Sequence, residues 1–238
     1  MKMKTVQTST KLWAIVPAAG SGSRFSKTDL KQYQTINDVT VLQHSVERLF
    51  ALPLQGCVLA VNAQDTVIQT IPFKQKEKIH LCEGGQERVH SVLNALTYLL
   101  QIAHPNDYVL VHDAARPCVG MEQLNDLYNT AITQSISAIL ATPVRDTLKQ
   151  VLDAPNITKT VDRTALWQAQ TPQIAPIGLL KTAIEQALKF DIAITDEASA
   201  LEYAEHPVRV VAGRADNIKI TYPEDLVLAQ LILQAQGY

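Results

Sequence analysis

Ala14-Ile15-Val16-Pro17-Ala18-Ala19-Gly20-Ser21-Gly22-Ser23-Arg24, with Lys31 seven residues further on, is the stretch whose reading decides the fold. It begins as a short continuous apolar run, the pattern of a strand buried on both faces. It then passes into alanine, glycine and serine, small residues that let a ligand come close to the backbone. Exposed N–H groups converge there with the charges of Arg24 and Lys31. A strand that opens into such a loop reads as a seat for phosphate.

The chain around this stretch repeats the same alternation. Thr40–Phe50 carries apolar residues at helical spacing, and Gly56–Val61 and Ile79–Cys82 read as further buried strands. Glu87–Ala103 is the strongest helix by its apolar face, Tyr108–Val111 is the next strand, and Met121–Thr133 is again helical. Strands alternating with helices of this length predict an α/β fold with a doubly wound, mostly parallel sheet. In such sheets ligands bind beyond the carboxyl ends of the strands, where Ala18–Arg24, Gly84-Gly85 and Asp113–Arg116 all fall.

Beyond the strand expected at Ala138–Val144 the pattern changes. Residues 145–167 have no helical face, and Ala154-Pro155-Asn156 reads as the tip of a hairpin between Thr147–Leu152 and Ile157–Val161. A lone two-stranded hairpin is marginal in water, so a protruding β-arm that leans on a partner subunit is expected. Helices are expected again at Pro176–Lys189, with Pro176 in its first turn, and at Thr195–Tyr203, where Thr195 would serve as an N-cap. Val208–Val211 and Ile218–Thr221 read as late strands, and Thr221 and Glu224 have capping-box spacing for a last helix, Glu224–Gln234. No repeat or linker divides the chain, so a single domain over 12–238 is expected, with a frayed tail over 1–11.

Bulk properties exclude several function classes. The 238 residues carry a formal net charge of −2, which gives no general attraction to nucleic acid or to an anionic membrane. The start of the chain lacks the apolar core of a signal peptide, and a cytoplasmic protein is expected. Cys57, Cys82 and Cys118 are too few and too scattered for a disulfide framework or a zinc site and read as reduced thiols. There is no Gly-x-Ser-x-Gly elbow, His-Glu-x-x-His or Cys-x-x-Cys.

The opening loop fits neither common phosphate motif. Phe25 stands where a dinucleotide fingerprint needs its third glycine, and no Gly-Lys-Ser/Thr follows. Two separate cations beside small residues suit instead a transfer in which charge builds up on a departing polyphosphate. Asp113, directly after a buried strand, is placed to hold Mg²⁺ or to pair with Arg116, and the two roles are compatible. Polar residues gather at Thr147, Arg163, Thr171, Thr195, Asp196, Arg214, Asp216 and Lys219, in a half otherwise built of apolar runs. Lys219, between Ile218 and Ile220, points either to solvent or to a bound anion. His112 reads as a packed strand-end residue rather than a base. A phosphate monoester, with its second pKa about 6, needs no base to act as nucleophile.

Pro17-Ala-Ala-Gly-Ser-Gly-Ser-Arg24, Lys31-Gln-Tyr33, Gly84-Gly-Gln-Glu-Arg88, Val111-His-Asp-Ala-Ala-Arg-Pro117, Pro143-Val-Arg-Asp-Thr147, Thr160-Val-Asp-Arg163, Gln170-Thr-Pro-Gln173, Thr195-Asp-Glu-Ala198 and Ala215-Asp-Asn-Ile-Lys219 stand in one order. Together they resemble the 2-C-methyl-D-erythritol 4-phosphate cytidylyltransferase family of non-mevalonate isoprenoid biosynthesis. The resemblance implies a Rossmann-like nucleotidyltransferase fold and the joining of CTP to methylerythritol phosphate with release of pyrophosphate. It implies that Arg24 and Lys31 stabilise charge on the α-phosphate and on the leaving pyrophosphate. Ala18, Ala19, Gly20, Gly22, Gly85, Gln86 and Ser91 would line the CTP site. Arg163 and Lys219 would clamp the substrate phosphate with Thr147, while Asp113, Ala114, Thr171 and Thr195 would meet the rest of the substrate. Mg²⁺ would bridge the triphosphate, with Asp113 the nearest protein carboxylate. The arm would cross into the other subunit of a homodimer, so that Thr147 and Arg163 serve the neighbouring site. The chain departs from the family pattern at Leu30, usually Pro, and at Gln86, often Asp. Two other readings stay open at this point: a cytidylyltransferase for another pentitol phosphate such as ribitol 5-phosphate, and a non-catalytic nucleotide-binding module.

Overall fold

The computed structural model describes residues 10–20, 25 and 30–238. Strand β1 (Leu12–Pro17) is buried from Leu12 to Val16 and is an interior strand of a seven-stranded sheet. Its neighbours are β4 (Leu54–Val61) and β6 (Tyr108–Val111), both parallel to it, and β5 (Ile79–Glu83) extends the sheet beyond β4. On the other side of β6 come β10 (Trp167–Pro176), β7 (Ser137–Pro143) and the edge strand β11 (Val208–Ala212). Two short pieces, β2 (Thr35–Ile36) and β3 (Val39–Thr40), form a hairpin, as do β8 (Leu148–Gln150) and β9 (Lys159–Val161).

The continuous apolar character of the strands follows from helices on both faces. Ala14 and Val16 point with Leu59, Leu110 and Leu140 toward α1 (Val41–Leu49) and α3 (Met121–Gln134). Trp13 and Ile15, offset by one residue, point with Val58 and Val109 toward α2 (Arg88–Leu99), α4 (Ile177–Lys189) and α5 (Glu197–Tyr203). Each fully buried Leu or Ile here contributes about 1.5–3 kcal/mol. Helix α6 (Glu224–Ala235) packs by Ala229 and Leu233 on a smaller cluster with Val41, Cys118 and Ile220. The doubly wound, mostly parallel sheet expected from the sequence is present.

Five local expectations are corrected. Strand β10 has no counterpart in the sequence reading and runs antiparallel to both β6 and β7. Its Gln, Thr and Pro residues hide an inward-facing strand behind a polar composition. Ile218–Thr221 is not a ladder strand, although Ile220 N–H bonds Ala115 C=O at 2.9 Å. Asp196, not Thr195, caps α5, in a reciprocal box with Ser199, and Pro176 precedes α4 as its N-cap rather than lying in its first turn. The box expected between Thr221 and Glu224 is replaced by Asp225, whose carboxylate accepts from the N–H groups of Thr221 and Tyr222. The tail expected over 1–11 lies outside the described residues as far as residue 9. Lys11, by contrast, is tied to Asp107 and Tyr108.

Candidate active site

The carboxyl ends of β1, β5 and β6 open on one side of the sheet, and the loops that follow them meet there. Gly84 and Ala19 approach so closely that a Cβ on Gly84 would stand 2.3 Å from that of Ala19. A Cβ on Gly85 would stand 2.2 Å from that of His90. Gly84 therefore lets the loop after β5 fold against the loop after β1, and Gly85 lets it fold against the start of the following helix. Ser91 reinforces the turn, accepting from Gly85 N–H at 3.0 Å and donating to Glu87 C=O. Gln32, buried at 3% exposure, donates to Ala18 C=O at 2.9 Å and braces the start of the loop. Tyr33 then anchors the Lys31-Gln-Tyr33 turn through its hydroxyl on Asp65 at 2.5 Å.

These loops enclose a cavity of about 350 Å³ whose lining includes Ala18, Ala19, Gly20, Lys31, Gly85, Gln86, Ser91, Asp113, Ala114 and Lys219. Of the residues expected around a nucleotide, only Gly22 and Arg24 are missing from this lining, and both lie outside the described residues. The Lys31 ammonium donates to Ile220 C=O at 3.0 Å, which ties the cation to the segment that carries Lys219. A second cavity of about 250 Å³ adjoins the first and is lined by Thr171, Thr195 and Asp196, among others. Arg88, Asp113 and Lys219 line both cavities.

Asp113 is the hinge of this arrangement. Its Oδ1 stands 3.1 Å from Arg88 Nε, and its Oδ2 stands 2.9 Å from Lys219 Nζ and 3.4 Å from Arg116 Nε. Burial pushes its carboxyl up, but Arg88, Lys219 and Arg116 outweigh burial and hold it well below the usual carboxylate range. The pairing with Arg116 considered from the sequence is therefore present, joined by two further cations. Thr171 Oγ1 accepts from Asp113 N–H at 3.0 Å, and it comes from the stretch where β10 slips in register, Ala169 facing Ala141 but Gln173 facing Ile139. Bulges of this kind re-aim side chains next to sites. His112 is fully buried between Thr171 Oγ1 and Arg116 C=O, and burial lowers its pKa to about 4. It is a packed neutral residue.

The donor set bears on magnesium. Both Asp113 oxygens are engaged by cations, and among the described residues no three of His, Cys, Asp and Glu come together as a metal cage. Mg²⁺ is content with one carboxylate plus substrate phosphates, so the residues suit a metal brought by a triphosphate and not a resident one.

Thr147 and Arg163 lie on the exposed arm and line neither cavity. Arg163 instead donates to the Arg145 carbonyl oxygen. Arg214 and Asp216 pair with each other at 2.8 Å and likewise line neither cavity. Arg88 has no role assigned from sequence, although the Gly-Gly-Gln-Glu-Arg motif contains it. Its position at the first turn of a helix behind a glycine pair was the available signal.

A model of the family described as 2-C-methyl-D-erythritol 4-phosphate cytidylyltransferase matches residues 12–235. The chain is 67% identical over 228 residues to the protein of that name from Acinetobacter baumannii strain AYE, covering 96% of each. It is 48% identical over 221 residues to the one from Vibrio cholerae, covering 92% of this chain and 95% of the other. Among solved structures it resembles the Francisella tularensis cytidylyltransferase of the same name, with a TM-score of 0.81 at 34% identity, over 94% of this chain and 100% of that one. A structure described as 4-diphosphocytidyl-2C-methyl-D-erythritol synthase also superposes with a TM-score of 0.81, at 37% identity, over 94% of this chain and 98% of that one.

Proposed function

Because the chain belongs to the 2-C-methyl-D-erythritol 4-phosphate cytidylyltransferase family, we infer that its two adjoining cavities are the CTP and pentitol phosphate halves of one active site. The enzyme transfers CMP from CTP to 2-C-methyl-D-erythritol 4-phosphate and releases pyrophosphate. The observation that carries the assignment of the site is that Arg88, Asp113 and Lys219 line both cavities, where two phosphates have to meet.

In this reading Ala18, Ala19, Gly20, Gly22, Gly85, Gln86 and Ser91 hold the nucleotide. Arg24 and Lys31 stabilise the charge that develops on the α-phosphate and on the departing pyrophosphate. Lys219, with Arg163 and Thr147, clamps the phosphate of the second substrate. Asp113, Ala114, Thr171 and Thr195 face the rest of that molecule. The substrate phosphate, already ionised near neutral pH, attacks the α-phosphorus in line, so no protein base is needed. Asp113 would be a carboxylate available to a Mg²⁺ ion bound with the triphosphate, and such an ion would supply neutralisation of the phosphate charge.

We propose a single domain over 12–238, with an arm near 145–167 that carries Thr147 and Arg163 into the site of a second copy. The support is that both residues line neither cavity of their own chain and that the arm bears Val151, Leu152 and Ile157 exposed. A cytoplasmic location is proposed on the three free cysteines, two of them buried. Among the described residues no helix is long and apolar enough to cross a membrane.

Pyrophosphate release tests the reading. Purified protein is given Mg²⁺, each nucleoside triphosphate in turn, and either methylerythritol phosphate or ribitol 5-phosphate. Release is expected only with CTP and methylerythritol phosphate. Release with ribitol 5-phosphate would transfer the protein to a sibling activity, and release with no pairing would make it a binding module.

A further inference from the structure

Glu197 is 3% exposed and lines neither cavity, yet it carries a carboxylate in the first turn of α5. Among the described residues its ion-pair partner is Arg88, whose Nη1 and Nη2 reach its two oxygens at 2.6 and 3.0 Å. That bidentate contact fixes the plane of the guanidinium and leaves Nε to meet Asp113 Oδ1 at 3.1 Å. Glu197 is itself held firmly. Asp196 and Ser199 form the reciprocal cap of α5, Gln173 Oε1 accepts from Ala198 N–H at 2.8 Å, and Gln173 Nε2 donates to Asp196 at 2.8 Å. A chain of rigid contacts thus runs from β10 through Glu197 and Arg88 to Asp113. A buried carboxylate is costly unless it is paired and hydrogen-bonded, and the cation that pairs with Glu197 lines both cavities.

We propose that Glu197 is a positioning residue for cytidylyl transfer, aiming the Arg88 guanidinium so that Asp113 is fixed at the junction of the nucleotide and pentitol phosphate cavities. Without the Glu197 carboxylate, Arg88 can turn both terminal nitrogens onto Asp113 and draw it away from Lys219. The pentitol phosphate then meets a displaced carboxylate and a displaced ammonium, while the glycine-rich wall of the nucleotide cavity is untouched.

The proposal rests on the cytidylyltransferase reading, and the test separates the two. Full-length wild type, Glu197→Gln, Glu197→Asp, Arg88→Gln and the Arg88→Gln/Glu197→Gln double variant are compared in steady state with CTP and methylerythritol phosphate. Melting curves are recorded for each. Glu197→Gln is expected to lower kcat/KM for methylerythritol phosphate about 10-fold or more, with a smaller rise in KM for CTP, because Arg88 and Asp113 line the nucleotide cavity as well but its glycine-rich wall is unchanged. Glu197→Asp, which keeps the charge, is expected to recover part of the loss. In the Arg88→Gln background, Glu197→Gln is expected to cost less than about twofold more, because the two act as one unit. Should Glu197→Gln fail to fold, Glu197→Asp carries the same comparison. Wild-type kinetic constants in a folded Glu197→Gln, a lowered melting temperature with unchanged KM, or losses that multiply in the double variant would each overturn the proposal. An inactive wild type would instead overturn the activity on which it rests.

Discussion

Replacing Asp113 by Asn should destabilise the protein strongly near neutral pH and much less in acid. The carboxylate is 7% exposed and faces three cations at 2.9–3.4 Å. Removing one partner of a buried ion pair costs about 3–5 kcal/mol, because the remaining charges lose their counter-ion in poorly solvated surroundings. Arg116 accounts for most of this, since Arg88 keeps its bidentate pair with Glu197 and the partly exposed Lys219 is screened by water. For a chain of this size, ~3–5 kcal/mol corresponds to a fall in melting temperature of roughly 6–20 °C. The sign of the pH dependence follows from the depressed carboxyl. The ionised form stabilises the fold fully above the unfolded-state pKa of about 3.9, and that stabilisation is lost as pH falls toward the lower native value. The variant lacks it at every pH. The gap between the two melting temperatures, measured by calorimetry on ligand-free protein, should therefore be widest above about pH 5 and narrow on acidification. A gap that is absent at pH 7, or that widens in acid, would refute the charge-balance argument.

Lys31→Ala is expected to lose mainly kcat and Lys219→Ala mainly affinity for the pentitol phosphate, as steady-state kinetics will show. An unchanged kcat in the first variant would remove Lys31 from the leaving-group role. If the arm serves the neighbouring site, mixing inactive Arg163→Ala and Lys31→Ala chains under subunit exchange should restore roughly a quarter of wild-type activity. Half of the dimers are then mixed, and each mixed dimer has one complete site. No recovery in chains shown to exchange would leave Arg163 without that role. Thr171→Val removes the acceptor of Asp113 N–H and the partner of His112 Nδ1 and should cost about 1–3 kcal/mol in denaturant unfolding. A variant as stable as wild type would mean that the buried N–H finds another partner.

The parts of the fold that were legible in the sequence are those whose burial leaves a periodic trace. Strands β1, β4 and β6 are continuous apolar runs because helices cover both of their faces, and α1 carries its apolar stripe in plain view. Strand β10 was hidden because its buried positions include Gln170, Thr171 and Gln173, which are satisfied by Arg214, His112 and α5 rather than by an apolar neighbour. Ile218–Thr221 shows the opposite case. Its alternation resembles a strand, yet it is an extended segment that presents Lys219 to Asp113 and hangs on Ala115 by Ile220 N–H. Within the site, the glycine-rich loop, Asp113 and Lys219 stood out because small residues or isolated charges interrupt apolar runs. Arg88 and Glu197 did not, since a charge at each of two distant helix starts gives no sign that the two will meet. Gln32 bonds the Ala18 carbonyl, and Thr171 bonds Asp113 N–H and the buried His112 ring, partners that only the folded chain brings to them.

The most direct test of the chemistry follows the fate of the α-phosphorus of CTP. CTP labelled at that atom is incubated with methylerythritol phosphate, Mg²⁺ and the enzyme, and the products are separated. Attack by the substrate phosphate at the α-phosphorus predicts that the label enters the cytidine diphosphate product quantitatively and that the pyrophosphate carries none. Label in the pyrophosphate, or label that stays in CTP while methylerythritol phosphate is saturating, would contradict the account.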